Sequence, residues 1–226
     1  MLDKCDARLG EEVKQHLTSL GIETPVIESN YKTEEKIDAL EGLYTIAHRD
    51  ILGLDLDDDS LKDTPRRIAK LQVFESFRGL DYINFPKLTV VENKFYKGFV
   101  AINNIRFISL CEHHHERIIG KAWVAYIPGE HVTGLSKIPR IVDFFAARPS
   151  VQERTTTQIF ETLKFLLKTE NVAVTIKAAH LCMMARGIRE PCADTTTALK
   201  GGDFLLNERT RAEFENQIQH LNSPLL

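Results

Sequence analysis

Apolar residues recur at helical spacing twice in the first third of the chain. Leu9, Val13, Leu17 and Leu20 run up to Gly21, and Ile37, Leu40, Tyr44, Ala47 and Ile51 run up to Gly53. Both patterns predict amphipathic helices that stop at a glycine. The following GLDLDDDS is an acidic turn, and Thr64 then Pro65 predicts an N-cap with proline at the first helical position. Ile68, Leu71, Phe74 and Phe77 are then the expected buried stripe of a third helix that ends near Gly79. Beyond Pro86 the period changes. Segments 88–96, 99–110 and 117–127 are rich in β-branched and aromatic residues, with Ile105, Phe107, Ser109 and Cys111 on one parity. Ile118, Gly120, Ala122, Val124 and Tyr126 share one parity of the next segment, so neighbouring antiparallel strands are predicted.

Two helices are expected next. One, 139–148, lies between Pro139 and Pro149; the other, 151–168, places Ile159, Leu163 and Leu166 on one face. Ser150 and Glu153 have the S-x-x-E spacing of a capping box for the second. Segment 171–182 reads as a strand in which Val172, Val174, Ile176, Ala178, His180 and Cys182 share a face. A short strand near 194–198, the turn Gly201–Gly202 and a last helix carrying Phe214, Ile218 and Leu221 finish the chain. A helical region, 1–85, is thus expected before a region, 86–226, ordered strand–strand–helix–helix–strand–strand.

Composition narrows the function classes. At 226 residues, 43% hydrophobic and 27% charged, the chain is long enough for a packed core and unlike a disordered or fibrous sequence. Twenty-nine basic residues against 32 acidic ones give a net charge of −3, without the basic bias of a general nucleic-acid binder. No apolar run approaches the ~18–20 residues of a membrane span, and the N-terminus lacks the apolar stretch of a secretory signal. A soluble, cytoplasmic protein is expected. Its four widely spaced cysteines then favour metal or catalytic use over a disulfide framework.

The densest chemistry is Cys111-Glu112-His113-His114-His115-Glu116, followed about seventy residues later by His180-Leu181-Cys182. Thiolate sulfur and imidazole nitrogen suit zinc, and three protein ligands leave a fourth position for water. Such a site brings the pKa of bound water toward neutrality. Spacing alone leaves open which of His113, His114 and His115 is a ligand. A basic run, Ser136, Lys137, Arg140, Arg148 and Arg154, with Arg186 and Arg189 after Cys182, suggests an anionic substrate. Arg148 and Arg154, taken alone, read as a solvated helix face. Gln152 and Glu153 admit two readings: exposed residue and helix cap, or an amide and a carboxylate facing the N1–H and 2-amino edge of guanine. A nucleobase deaminase is a rival, since His114-His115-Glu116 satisfies H-x-E and Pro191-Cys192 begins P-C-x-x-C; it fails because Thr195 stands where the second cysteine belongs. A second rival is a non-catalytic oligomer with a structural metal.

CEHHxxxxxGKAxVAYIP, GLSKIxRIV, RPxVQERTTxQI and H-x-C-x-x-ARGI, with TPxRIAK, GLDYxNFP and TTTxxxGG, closely resemble the GTP cyclohydrolase I family over nearly the whole chain. The resemblance implies an α+β tunnelling fold, an antiparallel sheet with two helices packed on one face. Region 86–226 would be its catalytic domain, and subunit sheets would join into a ring-shaped oligomer, typically a homodecamer with active sites at subunit interfaces. It implies Zn2+ held by Cys111, His114 and Cys182, with His113 and His180 as the acid/base pair. Gln152 and Glu153 would read guanine, and Ser136, Lys137, Arg140 and Arg186 would cradle the triphosphate, with Arg67 a further candidate. The implied substrate is GTP, with neither nucleic acid nor membrane as partner. In the implied reaction water adds at C8 of the guanine imidazole ring while N7 takes a proton, and the ring opens to a formamide. A second hydrolysis releases formate, and ribose opening, an Amadori rearrangement and reclosure give 7,8-dihydroneopterin triphosphate, the first step of pterin and tetrahydrofolate biosynthesis. Against the family pattern, His115 and Glu116 follow the paired histidines where an apolar residue is common, Asp194 replaces a small residue, and Ala198 sits in a run of hydroxyls.

Overall fold

Asp6 accepts a hydrogen bond from the Leu9 amide and so starts helix α1 (Ala7–Ser19), which buries Val13 and Leu17 as their spacing predicts. The computed structural model describes residues 4–219, so Leu221, expected on the last helix, lies outside the described residues. Helix α2 (Thr33–Thr45) continues into a wider π turn at Ile46–Ile51. Helix α3 (Thr64–Leu71) likewise runs into a π turn at Gln72–Ser76. Thr64 is its first helical residue rather than its cap; Asp63 flanks it and no side chain caps it.

α2 and α3 pack on each other as a hairpin, joined by Arg66, which donates to Asp38 and Glu41. The expected stripe of α3 is only partly realised. Leu71, the last residue of α3, and Phe74 are exposed, and the i→i+5 bonds beyond Leu71 take Phe74 off the 3.6-residue period. On the partner helix and its π turn Leu43, Ile46, Ile51 and Leu52 are also exposed.

The sheet follows the parity read from the sequence. Strands β2 (Val100–Cys111), β3 (Arg117–Tyr126), β6 (Val172–His180) and β7 (Thr195–Lys200) pair antiparallel in that order. Two-residue β5 (Pro149–Ser150) adds to β2 in parallel at Leu110 and Cys111 only. Segment 88–96 contributes less than expected. Only β1 (Val90–Glu92) forms, and it pairs with β4 (His131–Thr133) outside the main sheet. Ile105, Phe107, Ile118, Ala122, Val124 and Ile176 face helices α4 (Lys137–Ala146) and α5 (Gln152–Leu167), whose Ile141, Phe145, Ile159 and Leu163 complete the core. The opposite face is covered at one end, where Trp123 and Ala173 meet Phe204 of α7 (Asp203–Leu206) and Phe214 of α8 (Glu208–Gln219). No helix among the described residues is long and apolar enough to cross a membrane.

The strand expected over 171–182 ends two residues early, and Leu181–Met184 is the short helix α6. Cys182 therefore leaves the strand face. The capping box expected at Ser150 and Glu153 is also absent: Val151 flanks α5 and no side chain caps it, because Ser150 is held in β5 and its hydroxyl donates to the Val151 carbonyl.

Arg148, read from sequence as a solvated cation, is 0% exposed. Its guanidinium donates to the Glu23 carboxylate at 3.0 Å and to the Gly79 carbonyl, and lies 4.7–5.3 Å from the ring centroids of Tyr82, Phe144 and Phe145. Tyr82 donates its hydroxyl to the other Glu23 oxygen, and burial pushes the phenol pKa up, keeping it neutral. Gly79 fits only without a side chain, since a Cβ there would meet the Phe144 carbonyl oxygen at 2.0 Å. A buried cation is tolerable only while its counter-charge is present. Glu23→Gln keeps the shape and removes the charge. We expect it to cost about 1–3 kcal/mol, the range for leaving a buried polar group poorly matched. That corresponds to a Tm lowered by roughly 2–12 °C, read by calorimetry; an unchanged Tm would show the charge to be dispensable.

Candidate metal centre and substrate site

Cys111 closes β2 in a buried position, and the chain reverses at once. The Cys111 amide donates to the Glu116 carbonyl at 2.8 Å and the His115 amide to the Cys111 carbonyl at 2.9 Å. The turn requires a left-handed residue, and His115 supplies it with φ +54° while its ring packs edge-on against Phe77. β3 then pairs with β6 so that Ile118 stands opposite His180, which carries the first turn of α6 to the same loop. One ligand atom each from Cys111, His114 and Cys182 thereby falls within 4.8 Å of the others. His113 and His115 lie outside that group.

The donor set fits zinc. Two sulfurs and one imidazole converge from two loops, and His114 is exposed, so the group opens outward rather than into the core. Burial pushes the Cys182 thiol up, and the facing Cys111 adds to the shift, with Arg186 pulling the other way. A coordinated thiol is deprotonated, so a cation held at this group would act against the upward shift of Cys182.

Around this group stand the two histidines expected to move protons. His113 is exposed, with Nδ1 3.9 Å from Cys111 Sγ. His180, at the end of β6, has Nε2 2.9 Å from Gln152 Oε1. Burial pushes the His180 pKa below its ordinary value and Glu153 opposes the shift. Gln152 is buried, and its amide nitrogen is 3.1 Å from each of three acceptors: the carbonyls of Ile176 and Thr195 and the hydroxyl of Thr197. Glu153 is exposed; its carbonyl accepts from the Thr157 hydroxyl at 2.8 Å, and its carboxylate has no hydrogen-bond partner among the described residues.

The cations divide. Arg186 is exposed on the loop after α6 and close enough to Cys182 to act on its thiol. Ser136 flanks α4, with Lys137 its first residue and Arg140 one turn on; no hydrogen bond or ion pair among the described residues joins them to the Cys–His–Cys group. Arg67 is paired with Asp63, which flanks its helix. Arg154 is not a solvated cation: it donates to Glu112 at 2.6 Å, tying the start of α5 to the Cys111–His115 loop. That pair escaped the sequence reading, since nothing local links a glutamate and an arginine forty-two positions apart. Asp194, a departure from the family pattern, has a partner in Lys177 at 3.0 Å across β6 and β7.

A family model described as GTP cyclohydrolase I matches residues 46–219. The GTP cyclohydrolase 1 of Vibrio vulnificus is 51% identical over 203 residues, covering 89% of this chain and 93% of the relative. That of Yersinia enterocolitica is 50% identical over 211 residues, covering 93% and 96%. Among solved structures, an archaeosine synthase QueF-Like protein in its apo form is similar with a TM-score of 0.40 and 18% identity, over 48% of this chain and 97% of that one.

Proposed function

The chain belongs to the GTP cyclohydrolase I family, and from that premise we propose that it converts GTP and water to 7,8-dihydroneopterin triphosphate and formate with the help of zinc. The observation that carries the reading is the meeting of Cys111, His114 and Cys182 beside His113 and His180, in a chain half identical to enzymes of that name. Zinc, when bound by the three ligands, supplies a Lewis acid that brings the pKa of a coordinated water toward neutrality.

The chain's own residues do the rest. Addition of water at C8 requires a proton at N7, and expulsion of each nitrogen from the carbon that becomes formate requires another. His113 and His180 carry them, since imidazoles exchange protons near pH 7. His180, its pKa lowered by burial, stands neutral there and ready to accept. Glu153 reads guanine: its exposed carboxylate can accept from N1–H and the 2-amino group together. Arg186, with Ser136, Lys137 and Arg140 at the start of α4, holds the triphosphate through a hydroxyl and cationic side chains.

A ring-shaped homo-oligomer, decameric as in the family resemblance, accounts for two features of the lone chain. Among the described residues β2 is open along its outer edge from Val100 to Ser109, and β7 pairs only with β6. Long open edges invite strand addition, and joining β2 of one copy to β7 of the next removes both. The exposed apolar side of the α2–α3 hairpin suits a further contact between copies. Active sites at subunit interfaces would then bring cations of α4 from one copy toward the metal group of another.

The test is formate release from GTP by the zinc-loaded protein, with the product identified by its pterin fluorescence after oxidation. Zinc binding without formate release would leave a structural metal site in an oligomeric scaffold. Glu153→Gln tests the reader. It replaces an acceptor by a donor facing donors, at about 1–3 kcal/mol, and is expected to reduce kcat/KM for GTP roughly 5–150-fold. Since no cap is lost, Tm should be unchanged. Wild-type kinetics in Glu153→Gln would remove the assignment.

A further inference from the structure

The amide of Gln152 has one orientation open to it. Its nitrogen sits among the Ile176 and Thr195 carbonyl oxygens, which can only accept, and the Thr197 hydroxyl, each at 3.1 Å. The Thr197 oxygen is in turn 2.6 Å from the Thr156 hydroxyl, whose own partner is the Gln152 carbonyl at 2.8 Å. Exchanging oxygen and nitrogen would set the amide oxygen against two carbonyl oxygens and take its two N–H donors away from these acceptors, in a residue 2% exposed. Oε1 therefore points at His180 Nε2, 2.9 Å away, and an amide oxygen can only accept. The hydrogen of the neutral ring must be on Nε2. His180 Nδ1, which has no hydrogen-bond partner among the described residues, then carries the lone pair.

We propose that Gln152 is a positioning residue: the acceptors of β6 and β7 orient its amide, and its oxygen holds His180 in the Nε2–H tautomer, leaving Nδ1 as the nitrogen that exchanges protons with substrate. The partner of one ring nitrogen sets the state of the other, a role distinct from reading guanine. The inference rests on the assignment of His180 as a proton carrier made above, and it divides the Gln152-Glu153 pair: the buried member serves the histidine and the exposed member meets the base.

Gln152→Met keeps the length of the side chain and removes its polarity. In the zinc-loaded enzyme we expect kcat for GTP to fall about 10–100-fold, the scale of losing an outer-shell partner. KM should stay within about threefold, as expected when no substrate contact is removed, and zinc content should be unchanged. A raised KM with kcat retained would overturn the proposal and return Gln152 to the guanine site. Because the methionine removes two N–H donors from a buried group of acceptors, a measurement on the unaltered protein stands beside it. Neutron diffraction from zinc-loaded, deuterated crystals grown above the ordinary pKa of imidazole should place a deuteron on His180 Nε2, directed at Gln152 Oε1. A bare Nε2 with a deuteron on Nδ1 would overturn the proposal. The neutron result is independent of turnover, so a protein that released no formate would remove the GTP reading and leave the tautomer question answered on its own.

Discussion

Cys182→Ser is expected to lose the metal and the activity together. Cys111, His114 and Cys182 are the three residues placed to hold it, two of them through soft sulfur. A serine hydroxyl at position 182 is harder, does not ionise near neutrality and leaves two ligands where a stable open zinc site needs three. The loss of a Lewis acid worth several kcal/mol corresponds to a fall in turnover of roughly 10³-fold or more. Metal analysis should give about one zinc per subunit in the parent protein, as for a three-ligand site with an open position, and close to none in the variant. Full formate release by metal-free Cys182→Ser would eliminate zinc from the chemistry.

His113→Ser should separate what Cys182→Ser loses together. The ring of His113 lies outside the group of ligand atoms, and the loop that carries it is held independently by the Glu112–Arg154 pair and by the amide bonds of Cys111 and His115. Removing the imidazole should therefore leave zinc at parent level while kcat falls about 10²–10⁴-fold, as for a lost general acid or base. Zinc leaving with the side chain would instead make His113 a ligand and displace His114 from that role.

The strands were legible because their period of two survives packing: Ile105, Phe107, Ser109 and Cys111, then Ile118, Ala122, Val124 and Tyr126, face the helices as read. The meeting of Cys111, His114 and Cys182 has a related cause, since antiparallel pairing of β3 and β6 turns a separation of some seventy residues into adjacency. Errors came where a local pattern had a competing use. Ser150 and Glu153 have capping-box spacing, but Ser150 is engaged beside Cys111 in β5. Cys182 continues the parity of β6 on paper, while the chain turns helical after His180. Leu71 and Phe74 fit a helical stripe that the π turn disrupts. Arg148 had no legible signal, because Glu23, Tyr82 and Gly79 are all remote in sequence.

The Glu23–Arg148 pair also sets an order of events in time. Its members are 125 residues apart, so the segment after α1 reaches the ribosome exit long before the cation that anchors it exists. At about 5–20 residues per second the interval is roughly 6–25 s; Tyr82, 59 residues after Glu23, joins it before the midpoint, and Arg148 comes at the end. Val13 and Leu17 wait as well, since the core they enter includes Ile159, Leu163 and β6, made later still. The N-terminal arm therefore cannot complete its packing as it emerges, and the last-made third of the sheet fixes the first-made helix. A nascent chain stalled before residue 148 should expose that arm to protease, and one released after β6 should protect it.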